Sequence, residues 1–204
     1  MNEVAGLRDM SLLTEMSLTL IIGPMFAGKS SAILQKVRRA EILGWKHLVL
    51  TNRIDIRYES SGTQIITHDH AGMDAFGITK LEEVFGTDRY TEAKLVVIEE
   101  AQFFSDLYTF VLKAVEEDGK EVVVVGLDGD SDRKPFGQIL EILPIADEVI
   151  RLSALCKRCG DGRAAFFSAL VRGVKQGQVH VGGADMYEPM CRKHYLENSK
   201  KNCV

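Results

Sequence analysis

No stretch of this chain approaches the roughly 18 uninterrupted apolar residues that a membrane helix needs. Residues 1–17, MNEVAGLRDMSLLTEMS, mix charges with short apolar pieces where a secretory leader would carry one apolar block. Proline is scarce, four in 204 residues, and there is neither an internal repeat nor a low-complexity linker, which excludes disordered and collagen-like chains. Basic excess is also missing: 25 Lys plus Arg against 29 Asp plus Glu leave a net charge of −4. That argues against a protein built to coat nucleic acid or an anionic membrane, so neither is expected as a partner. Four cysteines are too few for a disulfide framework in a chain this size, and three of them gather near the C-terminus. Such clustering in an intracellular protein points to a metal rather than to disulfides. A soluble, cytoplasmic chain is the expectation.

With 46% hydrophobic and 26% charged residues, the composition is that of a globular protein able to bury a core, by default in one domain with a small appended lobe. Four short apolar runs stand out, Leu18–Ile22, His47–Leu50, Leu95–Ile98 and Val122–Gly126. Most are continuous rather than alternating, as strands buried on both faces of a parallel sheet are. Helices are expected between them at Ser30–Leu43, near Lys80–Phe85 and at Ser105–Glu117, the first with Ile33, Leu34 and Val37 at helical spacing. Strands alternating with helices predict a doubly wound α/β sheet with ligands at the carboxyl ends of its strands. From about Leu152 the texture turns to paired cysteines and glycines, a loop-rich second lobe. The boundaries expected are an extension at 1–17, the α/β nucleotide-binding domain at 18–151, the metal-binding lobe at 152–195 and a flexible tail at 196–204.

Gly23-Pro24-Met25-Phe26-Ala27-Gly28-Lys29-Ser30 follows the first run and precedes the first helix. This is the eight-position phosphate-loop pattern in its required setting. Two glycines let successive backbone N–H groups curl toward phosphate oxygens at a helix N-terminus. The lysine then reaches the outer phosphates, and the serine hydroxyl suits magnesium.

The third run ends in Glu99-Glu100. A carboxylate at such a place holds magnesium in phosphate-loop enzymes, and its neighbour, on the other side of the strand, suits a general base on an acceptor hydroxyl. Arg57 and Arg133 lie just beyond strand ends, where a guanidinium suits spread phosphate charge.

Cys156-Lys-Arg-Cys159 and Cys191-Arg-Lys-His194, with thirty-one residues between them, form two knuckles of two-residue bite. Three thiolates and an imidazole with no spare ligand suit a closed, tetrahedral, structural zinc site. The long intervening segment should form a loop tied at its base, lying over the acceptor and on a different lobe from the phosphate loop. The residues alone therefore reach a magnesium-nucleotide enzyme that transfers phosphate to a hydroxyl, and they do not name the acceptor.

GPMFAGKS, DIRY with THDH, EEAQFF, LDGDSDRKPF, CKRC, GGADMY and CRKH, in that order from Leu18 to Tyr195, resemble the type II thymidine kinases of animals, many bacteria and large DNA viruses. The resemblance implies a P-loop, RecA-like α/β domain with a C-terminal zinc-binding lasso lobe. It implies transfer of the ATP γ-phosphate to the 5′-hydroxyl of thymidine, usually of deoxyuridine too, in nucleotide salvage. A homotetramer, feedback inhibition by dTTP, magnesium with ATP and structural zinc belong to the same implication. By resemblance Glu100 is the general base, Lys29 and Ser30 the phosphate-loop and magnesium pair, and Glu99 its carboxylate partner. Asp55 and Arg57 match the phosphate-side DxR element, with Asp55 toward the substrate and Arg57 toward catalysis. Phe103, Leu127 and Phe136 match the base pocket, Tyr187 the tyrosine at the sugar, and Gln178, Val179, His180, Val181 and Gly182 the lasso backbone on the base. The chain departs from the family at Glu99, usually Asp, at Ser131, usually aromatic, and at Gln178 and His180, usually aliphatic. At a position usually threonine it has Phe167 or Ser168, depending on alignment. A catalytically weak or regulatory paralogue and a zinc-containing nucleic-acid-binding ATPase are the alternative readings.

Overall fold

A computed structural model describes residues 16–54, 64–66, 72–172 and 186–201, with backbone only at 64–66, 72–73 and 201. The strands are β1 Ser17–Ile22, β2 His47–Asn52, β3 Gln64–Ile66, β4 Gly72–Asp74, β5 Phe76–Ile78, β6 Leu95–Ile98, β7 Glu121–Gly126, β8 Glu148–Arg151, β9 Ala154–Leu155, β10 Ala164–Ala165, β11 Phe167–Leu170 and β12 Tyr187–Met190. The helices are α1 Lys29–Ile42, α2 Asp88–Glu92, α3 Leu107–Leu112 and α4 Arg192–Lys201. Six strands form the central sheet in the order β5-β2-β6-β7-β1-β8, every neighbouring pair parallel.

The four expected strands are its interior. Because side chains alternate across a strand, Leu18, Leu20 and Ile22 face one layer while Ile21 faces the other, and Val122 and Val124 oppose Val123 and Val125 in the same way. Helix α3 covers the first face through Leu107, Phe110 and Val111; α1 covers the second through Ile33, Val37 and Ala40. Continuous aliphatic runs are what burial on both faces requires. The two edge strands, β5 and β8, were not anticipated. They are short, and Glu148, Val149 and Arg151 are exposed, so no buried run marks them.

The expected helix near Lys80–Phe85 is a 3₁₀ turn, Leu81–Val84, followed by α2, whose start Thr87 caps by accepting from the Tyr90 N–H. The expected helix at Ser105–Glu117 is α3 widening into a π turn at Lys113–Glu117. Beyond the sheet, the hairpins β9–β10 and β11–β12 and helix α4 form the C-terminal lobe. The tail expected to be flexible from residue 196 is instead the second half of α4 as far as Lys201. Asn198 anchors it, buried and donating from Nδ2 to the Leu170 carbonyl at 3.0 Å. Residues 1–15 and 202–204 of the expected extension and tail lie outside the described residues.

Candidate active site

The phosphate-loop pattern occupies the turn from β1 into α1, at the carboxyl edge of the sheet. A Cβ at Gly23 would lie 2.6 Å from the Leu152 carbonyl oxygen, so only glycine lets the loop leave β1 against the chain that follows β8. Phe26 holds a φ of 64°, a left-handed conformation that is uncommon outside glycine. Lys29 folds its amine back to the loop, donating to the Pro24 carbonyl at 2.8 Å and the Gly23 carbonyl at 3.2 Å.

Helix α1 packs over β2, β6 and β7, and this brings its first turn across to the end of β6. There the Ser30 hydroxyl donates to Glu99 Oε1 at 3.1 Å, with Glu99 buried. A hydroxyl and a carboxylate side by side at a phosphate loop are oxygen donors of the kind magnesium takes. The residues present therefore fit that ion.

Glu100 sits one residue on, where the chain turns from β6 into a 3₁₀ turn, Ala101–Phe103, and it adopts a φ of 49°. A non-glycine residue held left-handed at a strand end marks a position whose side-chain direction matters more than backbone comfort. Its Oε2 accepts a 2.6 Å bond from Gln102 Nε2. Beside it, the Phe103 and Phe136 rings meet edge to face with centroids 5.6 Å apart, and the Leu127 N–H donates to Gln102 Oε1 at 3.1 Å. Three expected base-pocket residues are thus gathered next to the acid pair. Asn52, at the end of β2, supports the wall by donating to the Phe103 carbonyl at 3.3 Å.

Cys156, Cys159, Cys191 and His194 converge from the turn after β9 and the start of α4, their ligand atoms all within 4.8 Å of one another. His194 Nδ1 lies 3.4 Å from the sulfurs of Cys156 and Cys159 and 3.6 Å from that of Cys191. Burial raises the Cys156 thiol, but the backbone N–H groups around it and the His194 side chain outweigh burial and bring it down to about 6. Burial and the neighbouring sulfurs of Cys156 and Cys191 push Cys159 up to about 12. Crowded thiols that resist ionising together call for a cation, and this donor set fits zinc.

The knot is not remote from the phosphate loop, as the sequence had suggested. Phe26 and Ala27 pack against the cluster of Ala154, Cys156, Ala165 and Cys191, and Lys157 Nζ lies 5.8 Å from the centre of the Phe26 ring. The Met25 N–H donates to Ser168 Oγ at 2.9 Å, so β11 also buttresses the loop. Ser168, not Phe167, faces the loop. Arg133 lies with its guanidinium 4.6 Å from the Tyr195 ring centre and 5.8 Å from that of Phe167. Between these parts a cavity of about 140 Å³ is lined by Pro24, Asp128, Arg133, Arg151, Phe167 and Ser168. Tyr187 is buried in β12 opposite Leu170. Asp55, Arg57, Gln178, Val179, His180, Val181 and Gly182 lie outside the described residues.

A family model described as thymidine kinase matches residues 16–195, nearly the whole chain. The chain belongs to the thymidine kinase family. Thymidine kinase a of Arabidopsis thaliana is 42% identical over 182 residues, covering 88% of this chain and 74% of the plant protein. Thymidine kinase of Oryza sativa subsp. japonica is 42% identical over 183 residues, 87% of this chain, which spans only 65% of the rice protein. Thymidine kinase of variola virus is 38% identical over 179 residues, 88% of this chain and 96% of the viral one.

Four supporting residues of this family member escaped the reading of the sequence. Gln102 stood in a quoted motif, yet its role depends on where its amide points. Ser168 stood beside Phe167 with no local pattern to separate them. Asn52 and Tyr195, whose hydroxyl donates to the Ser131 carbonyl at 2.7 Å, carried no signal, because each acts on a backbone atom far along the chain.

Proposed function

We propose that this chain transfers the γ-phosphoryl group of ATP to the 5′-hydroxyl of thymidine, on a P-loop domain of RecA-like order. Membership of the thymidine kinase family and the strand order, with β7 between the phosphate-loop strand β1 and the acid-bearing strand β6, support this reading. One observation carries it furthest. The Ser30–Glu99 contact brings the phosphate loop to the end of β6, where Glu100 stands beside the apolar wall of Phe103, Leu127 and Phe136.

In this mechanism the loop N–H groups and Lys29 hold the β- and γ-phosphates, with Arg57 and Arg133 as further cations. Ser30 and Glu99 are the groups that would hold magnesium, which would supply neutralisation of the phosphate charge when bound. Phe103, Leu127 and Phe136 clasp the base, the lasso backbone at Gln178–Gly182 reads its edge, and Asp55 and Tyr187 orient the sugar. Glu100 accepts the proton of the 5′-hydroxyl as its oxygen bonds to the γ-phosphorus; the bond to the β-phosphate oxygen breaks, and ADP leaves. Cys156, Cys159, Cys191 and His194 would bind structural zinc in a lobe that begins at 152 and continues through α4, packed against the nucleotide domain at 18–151. Acceptance of deoxyuridine, inhibition by dTTP, a homotetramer, a role in salvage and a cytoplasmic location rest on the family resemblance. Among the described residues no helix is long and apolar enough to cross a membrane.

The test is ATP turnover with purified protein and magnesium against thymidine, deoxyuridine, deoxycytidine and purine deoxynucleosides. Turnover confined to the first two is expected, and Glu100→Gln should keep ATP binding while losing about 10²–10⁴-fold in kcat. Protein that contains zinc yet turns over with no nucleoside would favour the regulatory paralogue.

A further inference from the structure

We infer that Gln102 is a positioning residue for the carboxylate of Glu100 and ties it to the wall of the nucleoside pocket; the inference rests on the reading of Glu100 as general base. Gln102 is almost wholly buried, 4% exposed, although it lies on a short turn at the edge of the sheet. Its amide orientation is fixed by chemistry. The Leu127 N–H can only donate, so the oxygen of the Gln102 amide must face it, at 3.1 Å. The NH₂ group is thereby turned to Glu100 Oε2, 2.6 Å away. A carboxylate accepts and an amide nitrogen donates, so both ends are matched and a flipped amide would spoil both.

The surroundings are shaped to this one side chain. At Gly126, the last residue of β7, a Cβ would lie 2.5 Å from Gln102 Oε1. At Gly137, after the Phe136 wall, a Cβ would lie 2.2 Å from the Gln102 carbonyl oxygen. Two segments distant in sequence thus leave room for Gln102 at its head and at its backbone. Glu100 itself is left-handed, and Gln102 binds one of its oxygens from two residues on. Gln102 thereby sets which lone pairs face the acceptor hydroxyl, and places them in register with Leu127, against which the base packs. Proton transfer at a fixed angle is sensitive to small displacements of the accepting atom.

Two substitutions separate this role from mere support. Gln102→Met removes both bonds at similar volume. Gln102→Glu keeps an acceptor for the Leu127 N–H but puts a second carboxylate against Glu100 in place of a donor. If Gln102 acts through Glu100, both variants lose about tenfold or more in kcat, while KM for thymidine and for ATP stays within about twofold. In a Glu100→Gln background neither substitution costs anything further, because its effect passes through the missing carboxylate. Near-normal kcat in Gln102→Glu, or a loss that adds in full to that of Glu100→Gln, would overturn the positioning role and leave Gln102 a support for Leu127. Normal turnover by Glu100→Gln would instead remove the general-base reading, and the positioning role with it.

Discussion

Around the central sheet two broad layers of buried side chains, one under α3 and one under α1, hold the four interior strands in place from both sides. Among the described residues the C-terminal lobe has two small clusters. One is Ala154, Cys156, Ala165 and Cys191; the other is Ala169, Met190 and Tyr195. It also leaves Leu155, Phe166 and Leu196 on its surface. Area buried is what stabilises the first region, at about 25 cal/mol per Å² of apolar surface. Strands of two and four residues and clusters of four and three buried side chains supply little of that, so a lobe of this make is expected to lean on its Cys₃His knot. Yet the two regions are not independent, because the phosphate loop is clamped between them: Gly23 lies against Leu152, Met25 bonds Ser168, and Phe26 with Ala27 rests on the knot. The sheet half of the molecule therefore packs against the Cys₃His half at the place where phosphate chemistry is proposed.

The largest test of this contrast is removal of the metal site. Zinc in small domains contributes on the order of 10–16 kcal/mol of binding free energy, much of it as folding free energy. Cys156→Ser is expected to abolish zinc binding, read by elemental analysis, and to unfold the lobe at a lower temperature than the sheet, giving two calorimetric transitions. KM for ATP should rise along with that for thymidine, by about tenfold or more, since the loop loses its floor. A single unchanged transition would show that packing alone holds the lobe and would erase the contrast.

The sheet side is probed at Lys120, which is buried and donates from Nζ to the carbonyls of Tyr90, Thr91 and Ala93 at 3.0, 3.0 and 2.7 Å. These are carbonyls in the last turn of α2 and the residue beyond it, and Lys120 satisfies all three at once. Lys120→Met should take this donor from all three, leaving the Tyr90 carbonyl its bond from the Ala93 N–H, and cost about 2–4 kcal/mol. Thermal unfolding should then show the sheet's transition falling by roughly 6–12 °C with zinc content unchanged. An equal fall in the lobe's transition would mean that the two regions unfold as one.

The smallest effect is expected at the seam itself. Tyr195→Phe keeps the ring beside Phe167 and Arg133 but removes the bond to the Ser131 carbonyl. A loss of about 1 kcal/mol is expected, seen as a nucleoside KM raised about fivefold with kcat and zinc unchanged. No change in KM would show that the Ser131 loop is held by Asp130 alone, whose Oδ1 accepts from the N–H groups of Asp132 and Lys134 at 2.8 and 2.9 Å.

The interior strands, the phosphate loop, the acid pair and the Cys₃His cluster were legible in the sequence for one reason. Each is a pattern in which neighbouring residues must have certain chemical types: aliphatic for two-sided burial, glycine and lysine around phosphate, sulfur and imidazole at a fixed bite. The edge strands β5 and β8 escaped because solvent on one side relaxes that demand. The second half of α4 escaped because its anchor, Asn198, acts across the lobe, donating to the Leu170 carbonyl and accepting from Arg158. Likewise the sequence offers Arg133 as a phosphate cation, while its place over the Tyr195 ring, lining a cavity with Pro24 of the phosphate loop, comes from packing.

By itself, then, the order of residues determined the parallel α/β sheet, the glycine-rich turn between β1 and α1 and the four members of the Cys₃His cluster, since local chemistry demands particular residue types at each. Only tertiary structure decided that the Cys₃His knot packs against the phosphate loop, that the Ser168 hydroxyl bonds it, and that Gln102 joins Glu100 to Leu127. Those facts depend on distances between segments far apart in the chain, and such distances are set by the packing of whole layers rather than by any local run.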